Sequence, residues 1–373
     1  MIKTLMIAFR NKHVLILAAI WLLMQLFFLF TYGVFTKLES RQYLEVAQHL
    51  ITTGEYLSNN FIFYSVIIWL DAFCLYTGAG FGWIVFLQII LSGISLYHFY
   101  RIIYKLNSDK KIAFISSLFF LGLVYYHIYN VFLFTESIFF SLSVIYTSVL
   151  ISIKQVKVKQ LTGLLLLLLL LAVTRPTGIF FLPATILYFL SKSYSAKKIS
   201  YYLFLGLTGI AVFLFVLNKM LGAGGALDFN LPFNKNMIIC GVEGPENSAI
   251  VNDANSLSGI WNLFWEHKTI FAELAMKKMI AFFGLYRPYY SFIHNLYIIG
   301  FFFTAYILIL INIRKLISKY FPVFIYCFTL ILLLGITVVF SCDEWHNRFI
   351  LGLWPFFLML AAAGFQKISI IRH

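Results

Sequence analysis

The densest group of ionisable side chains lies in FSCDEWHNRFILGLWPFF, where Asp343, Glu344, His346 and Arg348 fall within six positions between two hydrophobic runs. Few membrane anchors need that density, so the turn is a candidate for chemistry. Upstream, FFGLYRPYYSFIHN sets Arg287 among Tyr286, Tyr289 and Tyr290. A guanidinium fork matches phosphate oxygens and never deprotonates, so this cluster can cradle a phosphate or stack on a sugar. Aromatic belts use the same residue types for anchoring alone. In FLFTESIFF, Glu136 sits among phenylalanines and needs a polar cavity or a partner, unless it only starts a helix. Arg175 follows the leucines from Leu164 to Leu171 and must pair, face water or snorkel to an interface. Glu39 stands just past the first hydrophobic run, where the helix macrodipole alone would favour a carboxylate. Glu45 and Glu55 read as solvated surface charges. No HExxH, GxSxG or phosphate-binding glycine loop occurs, which removes zinc proteases, ordinary serine hydrolases and nucleotide-loop enzymes.

The elements that must position these groups are membrane helices. The chain is 62% hydrophobic and 11% charged over 373 residues, more apolar surface than a globular core absorbs. Uncharged runs such as Val14 to Phe35 reach the ~20 residues needed to cross ~30 Å of hydrocarbon. That first run is longer than a signal-peptide core and lacks a small-residue cleavage site, so it is expected to stay as a helix. The pattern predicts an all-α polytopic membrane protein with ten spans, near 14–35, 83–104, 112–130, 135–153, 160–174, 177–191, 200–221, 292–313, 321–340 and 348–366. The fifth and sixth are short, with Thr174 to Gly178 as their hinge, and one long kinked pair is the other reading. Two long loops, 36–82 and 222–291, complete a single domain over 1–373 with no separate soluble part and no repeat. In the first loop Leu44, Ala47, Leu50 and Ile51 recur at helical spacing, predicting an amphipathic helix along the membrane surface. The segment after it, broken by Asn59, Asn60 and Asp71, reads as a second interfacial or partly inserted helix.

Basic residues set the orientation. With the N-terminus inside, Lys105, Lys110, Lys111, Lys154, Lys157, Lys159, Arg314, Lys315 and Lys319 all fall on the cytoplasmic side, and of the fourteen acidic residues only Asp109 joins them. The net charge of +14 therefore reflects insertion rather than a nucleic-acid partner. The four cysteines show no metal-ligand spacing; Cys240 and Cys342 are the one pair worth naming as a bridge, two free thiols being the commoner state.

Taken in order, these segments resemble the membrane glycosyltransferases of the C-type fold (GT-C), in the branch of bacterial protein O-mannosyltransferases and aminoarabinose transferases. The resemblance rests on Glu39 ahead of Tyr43, Ala47, Leu50, Gly54 and Tyr56, on Thr135-Glu136-Ser137, on Arg175-Pro176-Thr177-Gly178, and on RFILGLWPFFLMLAAAG from Arg348 to Gly364. Two departures are Glu39, where the family usually has Asp, and Phe349, where it has Tyr; the soluble C-terminal domain of larger relatives is also missing. The resemblance implies a multi-pass protein of the bacterial inner membrane with both termini cytoplasmic. It implies transfer of a sugar, with inversion, from a polyprenyl-phosphate donor to a hydroxyl of a lipid, glycan or protein on the periplasmic face. It makes Glu39 the candidate base with Glu136 beside it, Arg287, Arg348 and Arg175 candidates for the donor phosphate, and Tyr43, Asp343, Glu344 and His346 supporting groups. No cofactor is indicated, and a divalent metal is left open. A polysaccharide polymerase or ligase, and a flippase or transporter of lipid-linked sugar, are the competing classes.

Overall fold

The computed structural model describes residues 12–153, 158–192, 214, 218, 230–244, 256–343 and 345–365. These are helical almost throughout, and the β pairings among them are two isolated bridges, Phe35 with Phe132 and Ile239 with Asp343. Among the described residues, six helical segments are long and apolar enough to cross a membrane. They are α1 (Lys12–Tyr32), Asn59–Thr77 with its regular part α3 (Ser65–Thr77), α4 (Gly82–Asn107), α7 (Thr135–Ser152), α12 (Phe292–Lys319) and α13 (Phe321–Phe340). A seventh arises if α5 (Lys110–Gly122) and the segment Val124–Val131, which begins with α6 (Val124–His127), act as one span despite a 73° bend.

The expected ten spans are thus not all present as straight crossings. The predicted 112–130 span is the bent pair, and the segment read as a second interfacial or partly inserted helix is a 3-10 turn, Asn59–Tyr64, running into α3, 19 residues in all. Spans predicted at 160–174 and 177–191 are α8 (Val158–Ala172) and α9 (Phe181–Lys192), of 15 and 12 residues. At 1.5 Å per residue neither covers ~30 Å of hydrocarbon. The predicted 348–366 span is a short turn of helix, α14 (Arg348–Leu351), followed by the ten-residue α15 (Trp354–Ala363). The 200–221 span lies outside the described residues apart from 214 and 218.

The chain divides into two compact units. One comprises Met1–Ile179, Phe301–Phe324 and Trp354–His373, the other Phe180–Gly300 and Ile325–Leu353. In the first unit α7 is the central helix, with 83% of its apolar window buried against 17% for α1. Lipid is as apolar as leucine, so packing here depends on close approach and on polar contacts. Gly93 and Gly122 supply the approach: a Cβ on Gly93 would lie 3.0 Å from the Trp21 ring, and one on Gly122 2.9 Å from Phe301. Asn130 supplies the polar contacts, donating to Gln25 Oε1 at 3.0 Å and Ser92 Oγ at 2.9 Å while accepting from Ser137 Oγ at 2.6 Å. Asp109 caps α5 by accepting from the Lys111 and Ile112 amides, which explains the one acidic residue predicted among the basic loops.

In the second unit α10 (Leu257–Glu266) and α11 (Lys268–Gly284) share a core of Phe233, Leu263, Phe271 and Leu274, to which Val339 and Phe340 at the end of α13 add. Buried Lys278 of α11 donates to the carbonyls of Val339 and Ser341, so its ammonium caps the end of α13, where the helix dipole is negative.

Candidate functional site

The first unit brings Glu39, Tyr43, Glu136 and Arg175 together, and the backbone shows how. Gly33, at φ +61°, ends α1 by donating to the Leu29 carbonyl at 2.9 Å. Phe35 then forms a bridge: its amide donates to Val131 O at 2.9 Å and its carbonyl accepts from the Leu133 amide at 3.1 Å. The exit of α1 is thereby tied to the segment that leads into α7. Leu38 adopts φ 58°, ψ −128° at the start of α2 (Glu39–Thr53), a strain on the order of 1–3 kcal/mol. Glu39 is the first residue of α2 and Glu136 lies in the first turn of α7, so the helix-start reading holds for both.

Helix α2 is amphipathic as expected, but its buried stripe is Ser40, Tyr43, Val46 and Ala47. Leu44, Leu50 and Ile51 are only half-buried. The shift of register turns Tyr43 inward. Burial, then the charges of Glu39 and Glu136 and the ring of Tyr64, push the Tyr43 phenol well above the usual tyrosine range, with Arg175 opposing. Glu39, Glu136 and Arg175 therefore all lie close enough to Tyr43 to act on its phenol.

Glu136 has the partner its burial demands. Arg175 Nη1 donates to Glu136 Oε1 at 2.5 Å, with 8% and 0% of the two side chains exposed. Arg175 does not snorkel. Its position follows from the way α8 ends: the Thr174 and Arg175 amides both donate to Leu171 O at 3.2 Å, and the Gly178 amide donates to Arg175 O at 2.9 Å. A Cβ on Gly178 would fall 2.1 Å from Leu171 O, so only glycine fits a turn this tight.

The second unit gathers the other predicted residues. Arg287 and Asp343 form a salt bridge with neither side chain exposed. Arg287 Nη1 also donates to the carbonyls of Ala281 and Tyr286 at 3.0 and 3.1 Å, and its backbone exchanges two 2.9 Å hydrogen bonds with the Asn295 side chain. Arg287, expected at a phosphate, is committed to protein groups and presents no surface to a ligand. Cys240 and Cys342 form a disulfide with 5.1 Å between Cα atoms. The backbone of Asp343 pairs beside it, donating to Ile238 O at 2.8 Å and accepting from the Cys240 amide at 2.9 Å.

Leu285, His346 and Asn347 are left-handed, with φ of 64°, 60° and 56°, and Asn347 Nδ2 donates to Leu285 O at 3.2 Å. Tyr290 stacks on His294 at 3.8 Å and hydrogen-bonds His346 Nδ1 at 3.2 Å. Partial desolvation and then the charge of Arg348 lower the His346 imidazole from its ordinary range. Arg348 opens α14 and is 7% exposed. Glu344 lies outside the described residues.

Sequence reading missed the Asn130 network and Lys278. An asparagine inside YYHIYNVFLFTES was the available signal for the first; Lys278, beside the exposed Lys277, carries none. It also took Asp71 as a break in a helix, whereas the side chain is fully buried with no hydrogen-bond partner for either oxygen among the described residues. No three His, Cys, Asp or Glu side chains converge as a metal site needs among the described residues. Comparison with family models, with curated proteins and with solved structures finds no match to this chain.

Proposed function

We propose that the protein is an inverting glycosyltransferase of the C-type fold that moves a sugar from a polyprenyl-phosphate donor to an acceptor hydroxyl on the periplasmic face of the bacterial inner membrane. The observation that carries this reading is the meeting of a half-exposed Glu39 with Tyr43 and the buried Glu136–Arg175 pair. The acceptor oxygen attacks the anomeric carbon, the bond from that carbon to the phosphate oxygen breaks, and the acceptor proton passes to the Glu39 carboxylate. Polyprenyl phosphate leaves carrying the bonding electrons. Arg175, oriented by Glu136, meets the charge that develops on the phosphate. Arg348 keeps a candidate phosphate role on sequence grounds, and Arg287 enters as a positioning residue for the turn at Asp343. The disulfide supports the proposed orientation, because such bonds persist in oxidising compartments and this one joins the 222–291 loop to the turn at Asp343, both read as periplasmic.

The test is sugar transfer by the purified protein in bilayers supplied with polyprenyl-phosphate sugar. Glu39→Gln keeps shape while removing basicity, and transfer should fall by about 10²–10⁴-fold with folding and donor binding retained. Near-wild-type transfer by Glu39→Gln, with loss in Glu136→Gln or Asp343→Asn, moves the base elsewhere. A second reading, a flippase or transporter of lipid-linked sugar, draws on Asp71, a buried carboxyl inside an apolar helix of the kind that marks transport pathways. Translocation of lipid-linked sugar across vesicle membranes without transfer would favour it.

A further inference from the structure

The 222–291 loop carries no motif in the sequence, yet it contains an amphipathic helix with an unusual outer face. Helix α10 is capped at Ser256, whose hydroxyl accepts from the Gly259 amide at 2.9 Å. Its inner face, Gly259 and Leu263, packs on the core of the second unit. Its outer face is Trp261, Phe264 and Trp265, exposed by 62%, 41% and 57%. These fall at i, i+3 and i+4, one continuous stripe, with the two indoles edge to face at 5.6 Å. Water is a poor neighbour for two tryptophans and a phenylalanine side by side.

We infer that α10 is a membrane anchor that lays Trp261, Phe264 and Trp265 into the lipid headgroup region. Depth is the first argument. The core under α10 includes Val339 and Phe340, the last residues of the 20-residue apolar helix α13, and Phe271 of that core meets the Phe340 ring at 5.4 Å. The end of a crossing helix marks the boundary of the hydrocarbon, so α10 lies at that level. Lys278, which caps the same end of α13, places a buried ammonium there too. Residue type is the second argument. Tryptophan concentrates at the lipid–water boundary, where its ring is buried and its N–H stays wet. Charge is the third. Helix α10 contains no Lys or Arg and one Glu, so its attachment is by aromatic burial and does not depend on anionic lipid.

The experiment places a nitroxide on Trp261→Cys, Trp265→Cys and Asn262→Cys in the full-length protein in phosphatidylcholine bilayers. The native thiols interfere little, because Cys74 and Cys327 are buried and the other two are bonded. Collision with membrane-soluble oxygen should exceed collision with an aqueous nickel chelate by several-fold at 261 and 265, and the preference should reverse at exposed Asn262. Nickel access at 261 and 265 equal to that at 262 overturns the anchor, since the stripe then faces water. Low collision with both reagents overturns it as well, since a protein partner or a second copy then covers the stripe. Brominated lipid provides a readout without cysteines: it should quench the wild-type fluorescence more than that of Trp261→Phe/Trp265→Phe. Equal quenching of the two proteins counts against the anchor.

Discussion

The Glu136–Arg175 and Arg287–Asp343 pairs look alike in burial and differ in surroundings. Arg175 approaches Glu136 at the end of α8, beside a helix that carries the half-exposed Glu39 and a buried tyrosine feeling all three charges. Around Arg287 and Asp343 the protein closes completely: two carbonyls and an asparagine hold the arginine, a disulfide is bonded next to the aspartate, and three left-handed residues shape the turns. A buried ion pair recoups its desolvation only when its remaining groups are satisfied. The second pair is enclosed by protein groups that take up Nη1 and Nη2 of the arginine, and it serves the architecture. The first sits beside the half-exposed Glu39, which solvent reaches, and the proposed chemistry is assigned there.

The strongest way to break this comparison is to remove one arginine from each pair. Arg287→Ala should lower thermal stability in detergent by about 3–5 kcal/mol, because it strands a buried carboxylate, and Arg287→Met/Asp343→Leu should recover most of the loss. Arg175→Lys should keep the fold and lose most transfer, since a point charge replaces the fork. A stable Arg287→Ala that fails only in transfer would make Arg287 a ligand of the phosphate and erase the distinction.

Reducing the disulfide is a milder perturbation of the second pair. Cys240→Ser should destabilise the protein by about 2–4 kcal/mol, read as an earlier unfolding transition under non-reducing conditions. An unchanged transition would mean that the noncovalent contacts of the Asp343 turn hold it without the bridge.

Gly178→Ala perturbs the first pair only. Its methyl group meets Leu171 O, so the turn must open at a cost of about 1–3 kcal/mol and shift the arginine three residues before it. Transfer should fall more than stability does. Equal, small losses in both would show that the turn accommodates a side chain without moving Arg175.

Unbroken apolar runs were legible in the sequence: α1, α4, α7, α12 and α13 lie where hydropathy puts them. The Cys240–Cys342 bridge was legible as the pair worth naming, and Glu136 as a carboxylate that would want a partner. Which partner each charge takes was not legible, because the pairs join residues 39 and 56 positions apart and only tertiary packing selects them. The bend after Gly122 was missed because no proline announces it. The stripe of α2 was misplaced because Leu44, Leu50 and Ile51 are more apolar than Ser40 and Tyr43, yet the latter face inward. Hydrophobicity ranks side chains by their dislike of water, and here a hydroxyl donating to the Phe35 carbonyl at 3.3 Å helps set the register.

The bridge between Phe35 and the Val131–Leu133 backbone also constrains how the chain can be threaded. Two backbone segments joined by hydrogen bonds lie on one side of the bilayer, so the chain between them must traverse it an even number of times. Three segments in that interval have the length to do so: Asn59–Thr77, α4, and the bent pair Lys110–Gly122 with Val124–Val131. If α4 carries the chain across and the bent pair carries it back, the parity is already satisfied. Asn59–Thr77 must then begin and end on the side where Phe35 lies, running along the membrane surface after α2 rather than crossing.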